Sequence, residues 1–214
     1  MLRLLALLAA LVLPLSTGGA QPSTDRQAPR TILAFGDSLT AGYGLDAGLG
    51  FAPQLEDALR REGLGVTVID GGVSGETSAA GLARVDWALQ TLDTPPDLVI
   101  LELGGNDMLR ALDPAVTERN LAALIEKFQA TGARVMLGAI PAARNYDAGY
   151  IERFEGAYTR LGQRYGVTVH PFLPQELATG EGMIQQDGVH PTFRGIKTMV
   201  RAFAPVVREE LAAL

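Results

Sequence analysis

Five short apolar runs punctuate the chain, at residues 31–35, 66–70, 98–103, 134–138 and 167–170. Most are continuous rather than alternating, and that restricts the fold severely. A strand with one face in water alternates apolar and polar residues; a continuous run needs cover on both faces. The cover is written between the runs. Phe51, Leu55 and Leu59 recur every four residues, Leu121, Ile125 and Phe128 nearly so, and residues 150–165 and 193–211 also have helical spacing. Strand and helix alternate, so the expected fold class is α/β, a five-stranded parallel sheet with helices on both faces.

With 214 residues, 47% of them hydrophobic, the chain can bury one full core but not two ordinary domains plus a leader. A leader is present. Met1-Leu2-Arg3 carries one positive charge, residues 4–15 are almost all Leu, Ala and Val, and residues 16–20 are small. This is the layout of a secretory signal peptide; the apolar run is too short to span a bilayer comfortably, and an uncleaved anchor is the alternative. Residues 1–20 therefore read as a signal peptide cleaved near Ala20, residues 21–30 as a flexible lead-in and residues 31–214 as the folded domain, with a periplasmic or secreted location. The chain has no cysteine, so neither lipid modification at a cysteine nor disulfides can contribute, and the core alone must hold the fold. A net charge of -6 with no long basic block argues against nucleic acid as a partner. No heptads are visible, and a monomer is expected.

The first apolar run stops at Gly36-Asp37-Ser38-Leu39, presenting a hydroxyl at a turn on a strand's carboxyl end, where open α/β sheets bind ligands. Gly104-Gly105-Asn106-Asp107 follows the third run, and Asp187-Gly188-Val189-His190 precedes the last helical stretch. These segments meet at one sheet edge if the strands are parallel neighbours. A serine hydroxyl is a weak nucleophile until a base takes its proton. His190 can be that base, and Asp187, three residues earlier, can fix its tautomer. The Ser38 and Gly75 N–H groups and the Asn106 side chain can serve as oxyanion donors. Singly, each residue has a plainer reading: Asp187 as turn former, His190 as helix start, Asn106 as cap, Gly75 as loop glycine. Their joint placement outweighs those readings and suits acyl transfer. Asp37 and Asp107 are expected to hold their own loops, His170 to be structural, and Trp87, in a helical pattern with Leu82 and Val85, to pack in the core. Met108, Leu109, Ile140 and Pro141 offer an apolar surface for an alkyl chain on the side of Ser38 away from the second strand.

Four blocks stand in order: Gly36-Asp37-Ser38-Leu39, Ser74-Gly75-Glu76-Thr77-Ser78, Glu102-Leu103-Gly104-Gly105-Asn106-Asp107 and Asp187-Gly188-Val189-His190-Pro191. From residue 31 onward the chain resembles the GDSL, or SGNH, hydrolases, close to the bacterial thioesterase I/lysophospholipase L1/arylesterase group. The resemblance implies a flavodoxin-like three-layer α/β/α sandwich. It implies Ser38 as nucleophile, His190 as base oriented by Asp187, and an oxyanion hole of Ser38, Gly75 and Asn106. The implied activity is hydrolysis of acyl esters, and of acyl thioesters or lysophospholipids, through an acyl-enzyme on Ser38. No metal or cofactor is implied, and the partner is a small acyl ester with transient lipid contact. Residues 140–150 are less typical of the family.

Three other readings compete. Asp37, Asn106, Asp107 and His190 could ligate metals in a phosphoesterase, although two histidines are few for a two-metal site. Residues 42–47 fit a loose dinucleotide fingerprint with Asp70 downstream, but the glycines start late after the strand. A catalytically silent carbohydrate- or lipid-binding module is the third.

Overall fold

The structure, a computed structural model, describes residues 29–214. The expected signal peptide, residues 1–20, and all but the last residues of the expected lead-in lie outside the described residues. Five strands, β1 (Arg30–Gly36), β2 (Val66–Gly72), β3 (Leu98–Glu102), β4 (Arg134–Ala139) and β5 (Thr168–Pro171), form one parallel sheet in the order β2-β1-β3-β4-β5. All five apolar runs are strands, with bounds moved by a residue or two. Arg30 joins β1 because its amide donates to the Gly65 carbonyl at 2.8 Å and its guanidinium pairs with Asp97 at 2.7 Å. The core of β1, β3 and β4 is buried on both faces, as continuous runs require.

The long helices follow their apolar spacing. α2 (Phe51–Arg61) buries Phe51, Leu55 and Leu59; α5 (Pro114–Ala130) buries Leu121, Ile125 and Phe128. α6 (Ala148–Tyr165) and α8 (Phe193–Ala212) also match the helical stretches. α2 packs on α8, while α3 (Ser78–Gln90), α5 and α6 form a second row, giving three layers. One reading of α3 is corrected. Trp87 is 66% exposed, because the buried stripe of α3 runs Ser78, Gly81, Val85, Ala88 and Trp87 falls between its rows.

The short helices α1 (Ser38–Ala41), α4 (Gly105–Leu109) and α7 (Gln175–Thr179) are too brief to carry a period in sequence. From β1 the chain crosses to β2 on one side, and later to β3 on the other. The connections after β1 and β3 thus diverge and leave a crevice at the carboxyl ends of these strands.

Candidate active site

At the end of β1 the backbone passes so close to its neighbours that only glycine fits. A Cβ on Gly36 would lie 2.1 Å from Thr40 Oγ1 and 2.6 Å from Glu102 Oε2. Asp37 then caps α1, its Oδ1 accepting from the Leu39 amide at 2.9 Å. Ser38 is the first residue of that helix and only 8% exposed, so it is held more firmly than an open turn would hold it.

His190 arrives on a small hairpin. Ile184 bridges Pro191, the Gln185 amide donates to the His190 carbonyl at 2.8 Å, and Gly188 turns the chain at φ 73°. Asp187 Oδ1 accepts from the Val189 amide at 2.9 Å and the His190 amide at 3.0 Å. Its Oδ2 lies 2.7 Å from His190 Nδ1, and His190 Nε2 lies 2.9 Å from Ser38 Oγ. The His190 and Val189 amides, and then the His190 ring, hold the Asp187 carboxyl down at about 2. An ionised carboxylate only accepts, so Nδ1 carries the hydrogen and the Nε2 lone pair of the neutral ring faces Ser38. Gln185 Nε2 ties the hairpin to the Tyr43 carbonyl at 2.7 Å and the Pro191 carbonyl at 2.9 Å. The Tyr43 ring packs 4.5 Å from that of His190.

The Ser38 and Gly75 amides have no acceptor among the described residues. Gly75 sits at φ 80°, where an added Cβ would meet nothing within 4 Å, so its backbone angle, not crowding, calls for glycine. Asn106 Nδ2 donates to Asp37 Oδ2 at 2.8 Å and to the Glu76 carbonyl at 3.0 Å. Glu76 in turn is gripped through both oxygens by Arg84, which also donates to the Gly71 carbonyl at 2.7 Å. That clamp fixes the loop after β2 against the ends of β1 and β2. Burial pushes the Asp37 carboxyl up to about 6, against the hydrogen bonds from Leu39 and Asn106 that lower it.

Ser38, Gly75, Asn106 and His190 open into a cavity of about 1150 Å³. Met108, Leu109, Ile140 and Pro141 line it, on the β3–β4 side away from β2. Met108 and Ile140 are buried and also belong to the core, so they serve both as packing and as wall. A further wall comes from Leu173, Pro174, Leu177 and Ile184 around α7.

The model of the GDSL-like lipase/acylhydrolase family matches residues 34–197. The chain belongs to this family. It is 36% identical over 185 residues to esterase TesA of Pseudomonas aeruginosa, covering 86% of this chain and 91% of that protein. To thioesterase 1/protease 1/lysophospholipase L1 of Escherichia coli K12 it is 35% identical over 161 residues, 75% of each chain. The crystal structure of AlinE4, an SGNH-hydrolase family esterase, aligns with a TM-score of 0.72 at 43% identity, covering 86% of this chain and 97% of that one.

In this GDSL-family chain the metal-ligand and dinucleotide readings do not match the geometry. Asp107 is not a ligand beside Asp37 and His190. It accepts from the Ser78 amide at 2.8 Å and from the Ser78 and Thr117 hydroxyls. It therefore anchors the start of α3 rather than its own loop. Among the described residues no group of three or more His, Cys, Asp or Glu side chains is arranged to hold a metal. Gly42 of the loose dinucleotide fingerprint is the left-handed C-cap of α1, and the next helix begins only at Phe51. His170 packs edge-on against Phe203 at 4.7 Å. Sequence reasoning passed over Arg84, Gln185, the α7 wall and Glu102. Only Glu102 left a signal, as a carboxylate ending an otherwise apolar buried strand.

Proposed function

We propose that this protein is a serine hydrolase that cleaves carboxylic esters through an acyl-enzyme on Ser38. The observation that carries the reading is the relay Asp187–His190–Ser38, with contacts of 2.7 and 2.9 Å, opening into an apolar cavity. His190 Nε2 takes the proton as Ser38 Oγ attacks the ester carbonyl; the resulting imidazolium is steadied by Asp187 and then protonates the leaving alcohol. A water activated by the same nitrogen releases the acid. The oxyanion is met by the free amides of Ser38 and Gly75. Asn106 joins them by redirecting one Nδ2 hydrogen from its resting acceptors, Asp37 and Glu76.

The acyl chain is assigned to Met108, Leu109, Ile140 and Pro141. Each extra buried methylene contributes up to about 0.8 kcal/mol, so kcat/KM should climb with acyl length until the groove is full. Thioesters and lysophospholipids enter as candidate substrates because the Escherichia coli relative is named for both. Tyr43, Leu109 and Val189 are large, exposed and at the cavity mouth, which supports transient contact with lipid. The relay is supplied by one chain, consistent with a working monomer. Residues 1–20 are proposed as a cleaved export signal, from their charge, apolar run and small residues. No helix among the described residues is long and apolar enough to cross a membrane.

A fluorophosphonate should add one adduct, on Ser38, and Ser38→Ala should abolish both adduct and hydrolysis of a nitrophenyl ester. An active Ser38→Ala protein would remove the nucleophile assignment. Met108→Ser and Ile140→Ser should hurt long acyl esters most; equal loss at every chain length would remove the groove. Mass spectrometry of the protein from its host should find residues 1–20 missing, and an intact chain would refute export by cleavage.

A further inference from the structure

Beneath the nucleophile turn lies a second carboxyl that the relay does not use. Glu102 ends β3, between β1 and β4, and is 0% exposed. Its Oε2 accepts from Thr40 Oγ1 at 2.8 Å and from the Asp37 amide at 3.2 Å. Its Oε1 is buried, and among the described residues it has no partner. Beside it is the Asp37 carboxyl, 1% exposed, which caps α1 through one oxygen and holds the Asn106 amide through the other. The Gly36 backbone is pressed against this pair, with no room for a side chain.

An ionised carboxylate spreads its charge over both oxygens and needs donors at both. Here donors reach only Oε2. The groups facing Glu102 are Asp37 from the end of β1, Thr40 from α1 and Tyr158 from α6, and none is a cation. Arg84, whose guanidinium reaches the Gly36 carbonyl, is taken up by Glu76. Two adjacent buried negative charges without a cation are costly, and one proton kept on the pair removes the cost. Burial and then the Asp37 charge both drive Glu102 well above the usual carboxylate range.

We propose that Glu102 is a positioning residue that works as an uncharged carboxylic acid, fixing Asp37 and, through Asp37, the Asn106 amide beside Ser38. Its hydroxyl donates to the Asp37 carboxylate while its other oxygen receives Thr40 and the Asp37 amide. Asp37 is thereby locked between α1 and α4, and the two sides of the crevice, nucleophile and oxyanion donor, are held in one register. Glu102 touches no reacting atom; it acts only through Asp37.

The proposal rests on the serine-hydrolase reading, which adduct formation at Ser38 checks separately. Glu102→Gln supplies a neutral donor and acceptor of the same shape, and should keep kcat within about threefold of the parent. Glu102→Leu fills the space without hydrogen bonds and should lower kcat roughly 10- to 100-fold with KM little changed, as when an oxyanion donor is misplaced. Rates are taken per folded molecule, from the near-ultraviolet dichroism and the adduct yield. A Glu102→Gln enzyme as impaired as Glu102→Leu would mean that the charge is needed, and would overturn the proposal. So would a folded Glu102→Leu enzyme with parental kcat. Should Glu102→Leu fail to fold, infrared difference spectra decide. The carbonyl band of a protonated carboxylic acid should be present near neutral pH in the parent and absent in Glu102→Gln, and a parent lacking it refutes the neutral acid.

Discussion

Asp187 and Asp37 stand on either side of Ser38, and their surroundings drive them in opposite directions. Asp187 is on an exposed hairpin, where two backbone amides and the His190 ring hold its carboxyl at about 2. Asp37 is sealed beneath α1, where burial raises it to about 6 despite the hydrogen bonds it accepts. The front of the site thus favours a charged carboxylate in contact with water, and the back favours the proton-bound form of a buried carboxyl. The exposed carboxylate can steady an imidazolium that forms and vanishes in each turnover. The buried one cannot change charge without cost, and it serves as a fixed strut. Position relative to solvent, rather than residue type, separates the two roles.

The comparison breaks most decisively at the front. Asp187→Asn should cut kcat by about 10³- to 10⁴-fold, because an amide no longer fixes the His190 tautomer. Steady-state kinetics on a nitrophenyl ester would read this, and a loss below tenfold would deny Asp187 its part. Next is Asn106→Ala, at the junction of front and back. About 10²-fold or more in kcat with little change in KM is expected for a donor used mainly in the transition state. A rise in KM alone would make Asn106 a substrate-binding group instead.

The two carboxylates should also leave opposite marks on stability. Asp37 binds its proton more tightly when folded than when unfolded, where an aspartate titrates near about 3.9. Its contribution is therefore full below about pH 3.9 and is lost as pH rises through about 6. Asp187 binds its proton less tightly when folded, so its contribution is present above about pH 3.9 and is lost as pH falls toward about 2. Denaturant unfolding of the parent should lose up to about 3 kcal/mol from the Asp37 effect between about pH 4 and 7. Asp37→Asn should flatten that limb, and Asp187→Asn should leave it in place. An unchanged slope in Asp37→Asn would dissolve the contrast. A smaller signature lies in the rate profile. Asp187 stays ionised far below neutrality, so no loss of activity from its protonation should appear until about pH 2. Activity that is flat from about pH 5 to 8 would count against a histidine base.

The sheet, its parallel sense and four of the long helices were legible in the chain because their cause is local. Continuous apolar runs and four-residue spacing report which faces must be covered, and each can be read without knowing the neighbour. Ser38, Asp187 and His190 were legible for a related reason: a strand end, and a carboxylate three residues from an imidazole, are short-range features. Trp87 shows where local reading stops, since a helix pattern names a stripe but not its phase against neighbouring helices. Which side of Gly36 is crowded, which amides remain free, and that Arg84 grips Glu76 depend on segments brought together from across the chain. Glu102 is the clearest case. In sequence it is marked only as a carboxylate at the end of an apolar run, with nothing to say what it faces. Its burial beside Asp37, 65 positions away, is decided by the pairing of β1 with β3, because desolvation and like-charge contact exist only once the sheet has formed.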